Sequence, residues 1–184
     1  VVSLVMFICI LPVLENLRSQ LRAIGYDSVS AMTEINYKDL RSAILSLTSN
    51  ETDEIALMAT FVCELHHSDS RFDWTGFYRV TEPELLKIGP YQGGHGCLVI
   101  PFNRGVCGAA ARTLEPQLVA DVEAFEGHIA CASSTRSELV IPVQNNAGRL
   151  IGVLDIDSDQ PDAFTQEDAE NLNDLLRDVF AHVP

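Results

Sequence analysis

Basic residues are scarce in this 184-residue chain: 12 Lys and Arg stand against 26 Asp and Glu, a formal charge of −14. A phosphate-rich surface would meet net repulsion at long range, so nucleic acid and anionic membranes are not expected partners. Paired cysteines are missing too. Cys9, Cys63, Cys97, Cys107 and Cys131 are odd in number and nowhere form the close pair that a structural zinc site usually shows. A Cys and His set can be drawn from His95 with Cys97 and His128 with Cys131, but its spacing is poor, and no metal is expected. A secreted disulfide scaffold is equally disfavoured; a reducing compartment fits, with any disulfide transient. No apolar run approaches the roughly 20 residues a spanning helix needs. The opening, VVSLVMFICILPVL from Val1 to Leu14, contains Pro12, has no basic flank and is followed by no small-residue cleavage site. It reads first as a packed or partner-covered segment, then as a cleaved signal, and last as an anchor. Repeats and low-complexity tracts are absent, and one domain is the default for this length.

What is present is an ordered series of periodic segments. DSVSAMT, from Asp27 to Thr33, reads as a polar linker, so residues 1–31 are expected to be an extension of unclear role and residues 32–184 the domain. Helical spacing covers Tyr37–Leu47 and Ile55–His66, the second with Ile55, Met58, Ala59, Val62 and Leu65 on its apolar side. From Phe72 the period becomes two: Phe72, Trp74, Gly76, Tyr78 and Val80 share one face, and Leu85–Ile88 returns as a hairpin partner. Gly89–Gly96 is expected to be a loop, Cys97–Pro101 a strand, Gly105–Thr113 a helix, and Gln117–Ala120 a strand. Asp121–Ser137 is a long polar loop, of the kind that is usually functional or disordered. Leu139–Val143 and Leu150–Ile156 are strands joined by an Asn145–Gly148 turn, and Phe164–Phe180 is a helix capped by Thr165 with Asp168. The order implies an α+β fold, an antiparallel sheet with helices packed on it.

Chemistry is concentrated in two groups. Cys97, Cys107 and Cys131 fall in glycine-rich or loop segments that can position a reactive thiol, whereas Cys63, within a helix, and Cys9, in an apolar run, read as small hydrophobes. For the loop cysteines, structural and reactive readings both stay open on composition alone. Asp155 and Asp157, two apart in an extended segment, share a face, and Glu138 opens the preceding strand. These acids are either solvated strand ends or a pocket that grips a cation and keeps a proton to donate.

The strings DWTGFY from Asp73, IPFNRGVCGAAA from Ile100, GHIACASS from Gly127, SELVIPV from Ser137 and GVLDIDS from Gly152 together resemble the free methionine-(R)-sulfoxide reductases, a GAF-domain family. The resemblance runs from about Thr33 to Phe180, and the loop cysteines stand at the family's separations, ten and twenty-four residues. It implies a GAF-like sheet of about six strands within residues 32–184. It implies that Cys131 attacks the sulfoxide, that Cys97 resolves the oxidised thiol as a disulfide, and that Cys107 is an auxiliary thiol. Glu138, Asp155 and Asp157 would hold the substrate and assist proton transfer, with Trp74 and Tyr78 enclosing its methyl end. No cofactor is implied beyond an external dithiol such as thioredoxin, the expected location is cytoplasmic, and a homodimer is compatible with the resemblance. Ala132 stands where relatives often carry an acid. The alternative is a GAF module that binds a small ligand or senses redox state without turnover.

Overall fold

A computed structural model describes residues 35–129 and 131–184. The expected extension 1–31, with Cys9, and the expected domain start at Met32 lie outside the described residues. Helix α1 spans Tyr37–Leu47 and α2 Glu54–His66; strands β1 (Trp74–Glu82), β2 (Leu85–Gln92) and β3 (Val99–Pro101) follow. Then come α3 (Gly105–Thr113), β4 (Gln117–Val119), a 3-10 turn at Val122–Ala124, β5 (Ser137–Gln144), β6 (Leu150–Ser158) and α4 (Gln166–Phe180). The strands form one antiparallel sheet in the order β3-β2-β1-β6-β5-β4. The α+β fold read from the sequence is the fold observed. Among the described residues no helix is long and apolar enough to cross a membrane.

Period-two alternation sorts the sheet's side chains into two cores. Phe77, Leu139, Ile141, Leu154 and Ile156 point toward α1, α2 and α4, while Tyr78, Val140 and Val153 point to the other face, where α3 lies. Because both faces are covered, β5 is buried along nearly all of its length. The helices start where side chains can satisfy their first amides: Asn36 caps α1, Asp53 caps α2, and Thr165 with Asp168 forms a capping box on α4.

Asp168 does more than cap. Its carboxylate takes both arms of the Arg71 guanidinium, at 3.1 Å each, and accepts the Tyr37 hydroxyl, while Arg71 also grips Asp69 at 2.8 Å. Although burial opposes it, hydrogen bonds from Arg71, Tyr37 and Thr165 hold the Asp168 carboxyl below its ordinary range. One carboxylate thus ties α1, α4 and the approach to β1.

Five expectations are corrected. The buried side of α2 is Leu57, Met58, Phe61, Val62 and Leu65, with Ile55 38% exposed. The helix is apolar nearly all round, so periodicity alone misplaced its face. For the same reason Cys63, expected to be a buried hydrophobe, is exposed. Gly89 and Pro90 belong to β2, which continues to Gln92 past an irregularity opposite Phe77; Pro90 has no N–H for the ladder, and a bulge accommodates it. Cys97 precedes β3 in a loop, and Phe72 precedes β1 and packs in the helix-side core, away from Trp74.

The rotated face of α2 sets a stability contrast. Phe61→Ala is expected to cost about 3–5 kcal/mol and Ile55→Ala less than about 1 kcal/mol in urea unfolding. Equal costs would put the apolar side where the sequence pattern first placed it.

Candidate active site

Three carboxyl groups meet on the face that carries α3. Glu138 of β5 is the cross-strand neighbour of Asp157 of β6, and Val140 that of Asp155, so the three acids form a tight triangle across two strands. Neighbouring like charges oppose pairing if all are ionised. Glu138 and Asp155 are also buried, at 6% and 5% exposure. Burial first, then the adjacent Asp155 and Asp157, pushes the Glu138 carboxyl well above its usual range. Burial likewise raises Asp157, helped by Asp155, Asp159 and Asp73. Asp155 is pushed up by burial only to about 6, because hydrogen bonds from Cys107 and Glu138 favour its charged form. Of the three interacting acids, therefore, Asp155 gives up its proton most readily, and Glu138 and Asp157 hold theirs to higher pH.

The thiols converge on the same place. Cys107, in the first turn of α3, sets its sulfur 3.3 Å from Asp155 Oδ2 and 4.0 Å from Glu138 Oε1. Burial, then the charges of Asp155 and Glu138, pushes this thiol well up, so it stays protonated and donates to Asp155. Cys97 and Cys131 are joined by a disulfide, with Cα atoms 5.2 Å apart. Cys131, Cys107, Glu138, Asp155 and Asp157 all line one cavity. The Cys and His set drawn for zinc is not assembled, since His95 is not among the lining residues and both of its sulfurs are spent on the disulfide.

Local sequence explains how these groups are held. α3 begins at Gly105, whose φ of +67° suits glycine, and Ile129 packs 3.3 Å from where a Cβ would stand. The Gly105 amide donates to Gly127 O at 3.0 Å, docking the Cys131 loop against α3. Arg104 gives this helix no side-chain cap, and its first turn, Gly105 to Cys107, faces the cavity.

Trp74 and Tyr78 lie on the same sheet face but are not among the lining residues. Trp74 stacks between Tyr78 and Tyr91, at centroid distances of 5.8 and 5.5 Å, and its indole donates to Gly94 O at 3.1 Å. Gly76 lets the indole lie flat, because a Cβ there would come within 2.5 Å of Trp74 and Tyr91. The Tyr78 hydroxyl is pushed up by burial and by Asp155, Cys107, Asp157 and Glu138, which places it beside the cluster.

Sequence reasoning did not assign His128 and Thr135, which also line the cavity. Among the described residues His128 is the only basic one in the lining, and partial burial lowers its pKa. Its position in GHIAC, three before Cys131, was the available signal; Thr135 had none.

A family model described as GAF domain matches residues 48–179. The chain is 40% identical over 142 residues to the protein named free methionine-R-sulfoxide reductase from Escherichia coli, covering 76% of this chain and 84% of that one. Its structure is similar to that of the reduced form of fRMsr of Staphylococcus aureus, with a TM-score of 0.79, 35% identity, and coverage of 85% of this chain and all of the other. It is also similar to free methionine-R-sulfoxide reductase from Neisseria meningitidis in complex with its substrate, with a TM-score of 0.73, 36% identity, and coverage of 82% and 94%.

The raised carboxyls fix a sign for pH dependence. Between the ordinary carboxylate pKa and its raised value, Glu138 is protonated in the folded chain and ionised in the unfolded one, so its contribution to stability falls as pH rises, by up to about 1.4 kcal/mol per pH unit. Glu138→Gln removes that slope. Its unfolding free energy relative to the unsubstituted protein is expected to increase from pH 5 to pH 8, and a difference independent of pH would show that Glu138 is ionised in the fold.

Proposed function

The chain belongs to the GAF-domain family, among the free methionine-R-sulfoxide reductases, and from that premise we propose that it reduces free L-methionine (R)-S-oxide to L-methionine in a thiol cycle. The observation that carries this reading is the Cys97–Cys131 disulfide on a cavity lined by Glu138, Asp155 and Asp157.

A sulfoxide sulfur is electrophilic, and more so when its oxygen accepts a proton. In the reduced protein Cys131 attacks that sulfur as a thiolate while Glu138 or Asp157, the two acids that keep protons, donates to the oxygen. The substrate's sulfur–oxygen bond breaks as the oxygen transfers to the Cys131 sulfur, the bond formed in the attack breaks with it, methionine leaves, and Cys131 is left as a sulfenic acid. The Cys97 thiol then displaces it as water and forms the disulfide, completing a two-electron oxidation of the protein. His128 is the one lining group suited to take the Cys131 proton beforehand. Cys107, kept protonated, is an auxiliary thiol and an orienting donor to Asp155.

Substrate charge gives the preference for the free amino acid. Its α-ammonium finds the charged Asp155 among the acids, and the uncapped first turn of α3 offers amides to its carboxylate. A peptide-bound residue has neither charge. Trp74 and Tyr78 stack on the same sheet face outside the cavity lining, and Ile100, Val106 and Ile129 supply the apolar wall toward the methyl group. No metal or organic cofactor enters the cycle; an external dithiol of the thioredoxin type reopens the disulfide by exchange, which suits the cytoplasm.

Cys131→Ser is expected to abolish consumption of the free R-sulfoxide in the presence of a dithiol, and Cys63→Ser to keep the rate within about twofold. After one equivalent of substrate, peptide mass mapping of the reduced protein should find Cys97 joined to Cys131. Sustained turnover by Cys131→Ser, or no turnover by the unsubstituted protein, would refute the reading and favour a ligand-binding module.

A further inference from the structure

The floor of the cavity brings together Cys107 Sγ, a Glu138 carboxylate oxygen and an Asp155 carboxylate oxygen, all within 4.8 Å of one another. Each comes from a different element, α3, β5 and β6, so the arrangement is rigid. A tetrahedral ion with sulfur at about 2.3 Å and oxygens at about 2.0 Å holds its sulfur and oxygen ligands roughly 3.5 Å apart. The distances from Cys107 Sγ to Asp155 Oδ2 and Glu138 Oε1, 3.3 and 4.0 Å, bracket that value. A second observation points to a cation. Asp155 Oδ1 is buried, and no amide, hydroxyl or guanidinium of the described residues donates to it. The fourth position opens into the cavity lined by Cys131 and His128.

We propose that Cys107, Glu138 and Asp155 form a binding site for a thiophilic divalent cation of the zinc class, distinct from the substrate-derived chemistry of the Cys97–Cys131 pair. One sulfur and two carboxylates suit Zn²⁺ and disfavour Mg²⁺ and Ca²⁺, which prefer oxygen alone. Binding replaces the Cys107 thiol proton with the ion, so at least about one proton leaves per ion. On the functional reading given above, the bound ion occupies the position of the substrate ammonium and holds the enzyme idle; the site itself does not depend on that reading.

The test uses the full-length oxidised chain, in which Cys97 and Cys131 are tied together, with Cys9 and Cys63 replaced by Ser so that Cys107 is the one thiol left. Titrated with Co²⁺, this protein should bind one ion with a thiolate-to-cobalt charge-transfer band, release at least about one proton per ion in weak buffer, and give up the Co²⁺ to Zn²⁺. Cys107→Ser should remove the band, and Asp155→Asn should weaken binding at least about tenfold with circular dichroism unchanged. Should Cys107→Ser fail to fold, the affinity of Asp155→Asn and the proton count decide. A band that survives in folded Cys107→Ser, no band at millimolar Co²⁺, or an unchanged affinity in Asp155→Asn overturns the proposal. Because the oxidised chain does not turn over, this result is independent of whether the reductase reading stands.

Discussion

The burial of three acids on adjacent strands is the constraint around which the site is arranged. Two apolar cores hold β5 and β6 in a register that sets Glu138 against Asp157 and Asp155 one step away, and a strand that slipped by one residue would carry its acids into the helix-side core. Packing thereby enforces a proximity that electrostatics resists. The acids respond with raised pKa values, and the one raised least, Asp155, is the one to which Cys107 donates. That division is what the proposed acid catalysis and the proposed recognition of a cation both draw on.

Around this fixed floor the remaining parts are carried by loops. Cys97 enters from the segment between β2 and β3, and Cys131 from the long segment between β4 and β5, which Gly105 and Gly127 anchor to α3. The division assigns precision to strands and reach to loops. A reaction that needs one sulfur to visit first a substrate and then a second sulfur is served by groups of this second kind, while the proton source stays put.

Most of the fold was legible because its signals were local. Thr165 with Asp168, the Asn145–Gly148 turn and the alternation through Trp74, Gly76 and Tyr78 each depend on neighbours in the chain, and each appears in the structure. The failures came where distant packing decides. α2 is apolar nearly all round, so only its neighbours choose between Ile55 and Phe61, and they leave Cys63 outside. Gly89 and Pro90, expected in a loop, belong to β2 because an irregularity opposite Phe77 accommodates them. In the site, Glu138, Asp155, Asp157 and Cys131 could be placed together from alternation and from the family resemblance, whereas Thr135 carries no mark of its own. The Arg71–Asp168–Tyr37 tie was invisible for the same reason: its members are about a hundred residues apart in sequence.

The bond between Cys97 and Cys131 encloses a ring with a sequence separation of 34 residues, and within it lie β3, α3 and β4. β3 is one margin of the sheet and β4 the other. The link therefore draws a covalent hoop from border to border across the reactive face, with α3 as its middle. Such a closure restricts the unfolded chain over the whole span between the rims, so a single bond at the cavity bears on the stability of both edges of the sheet.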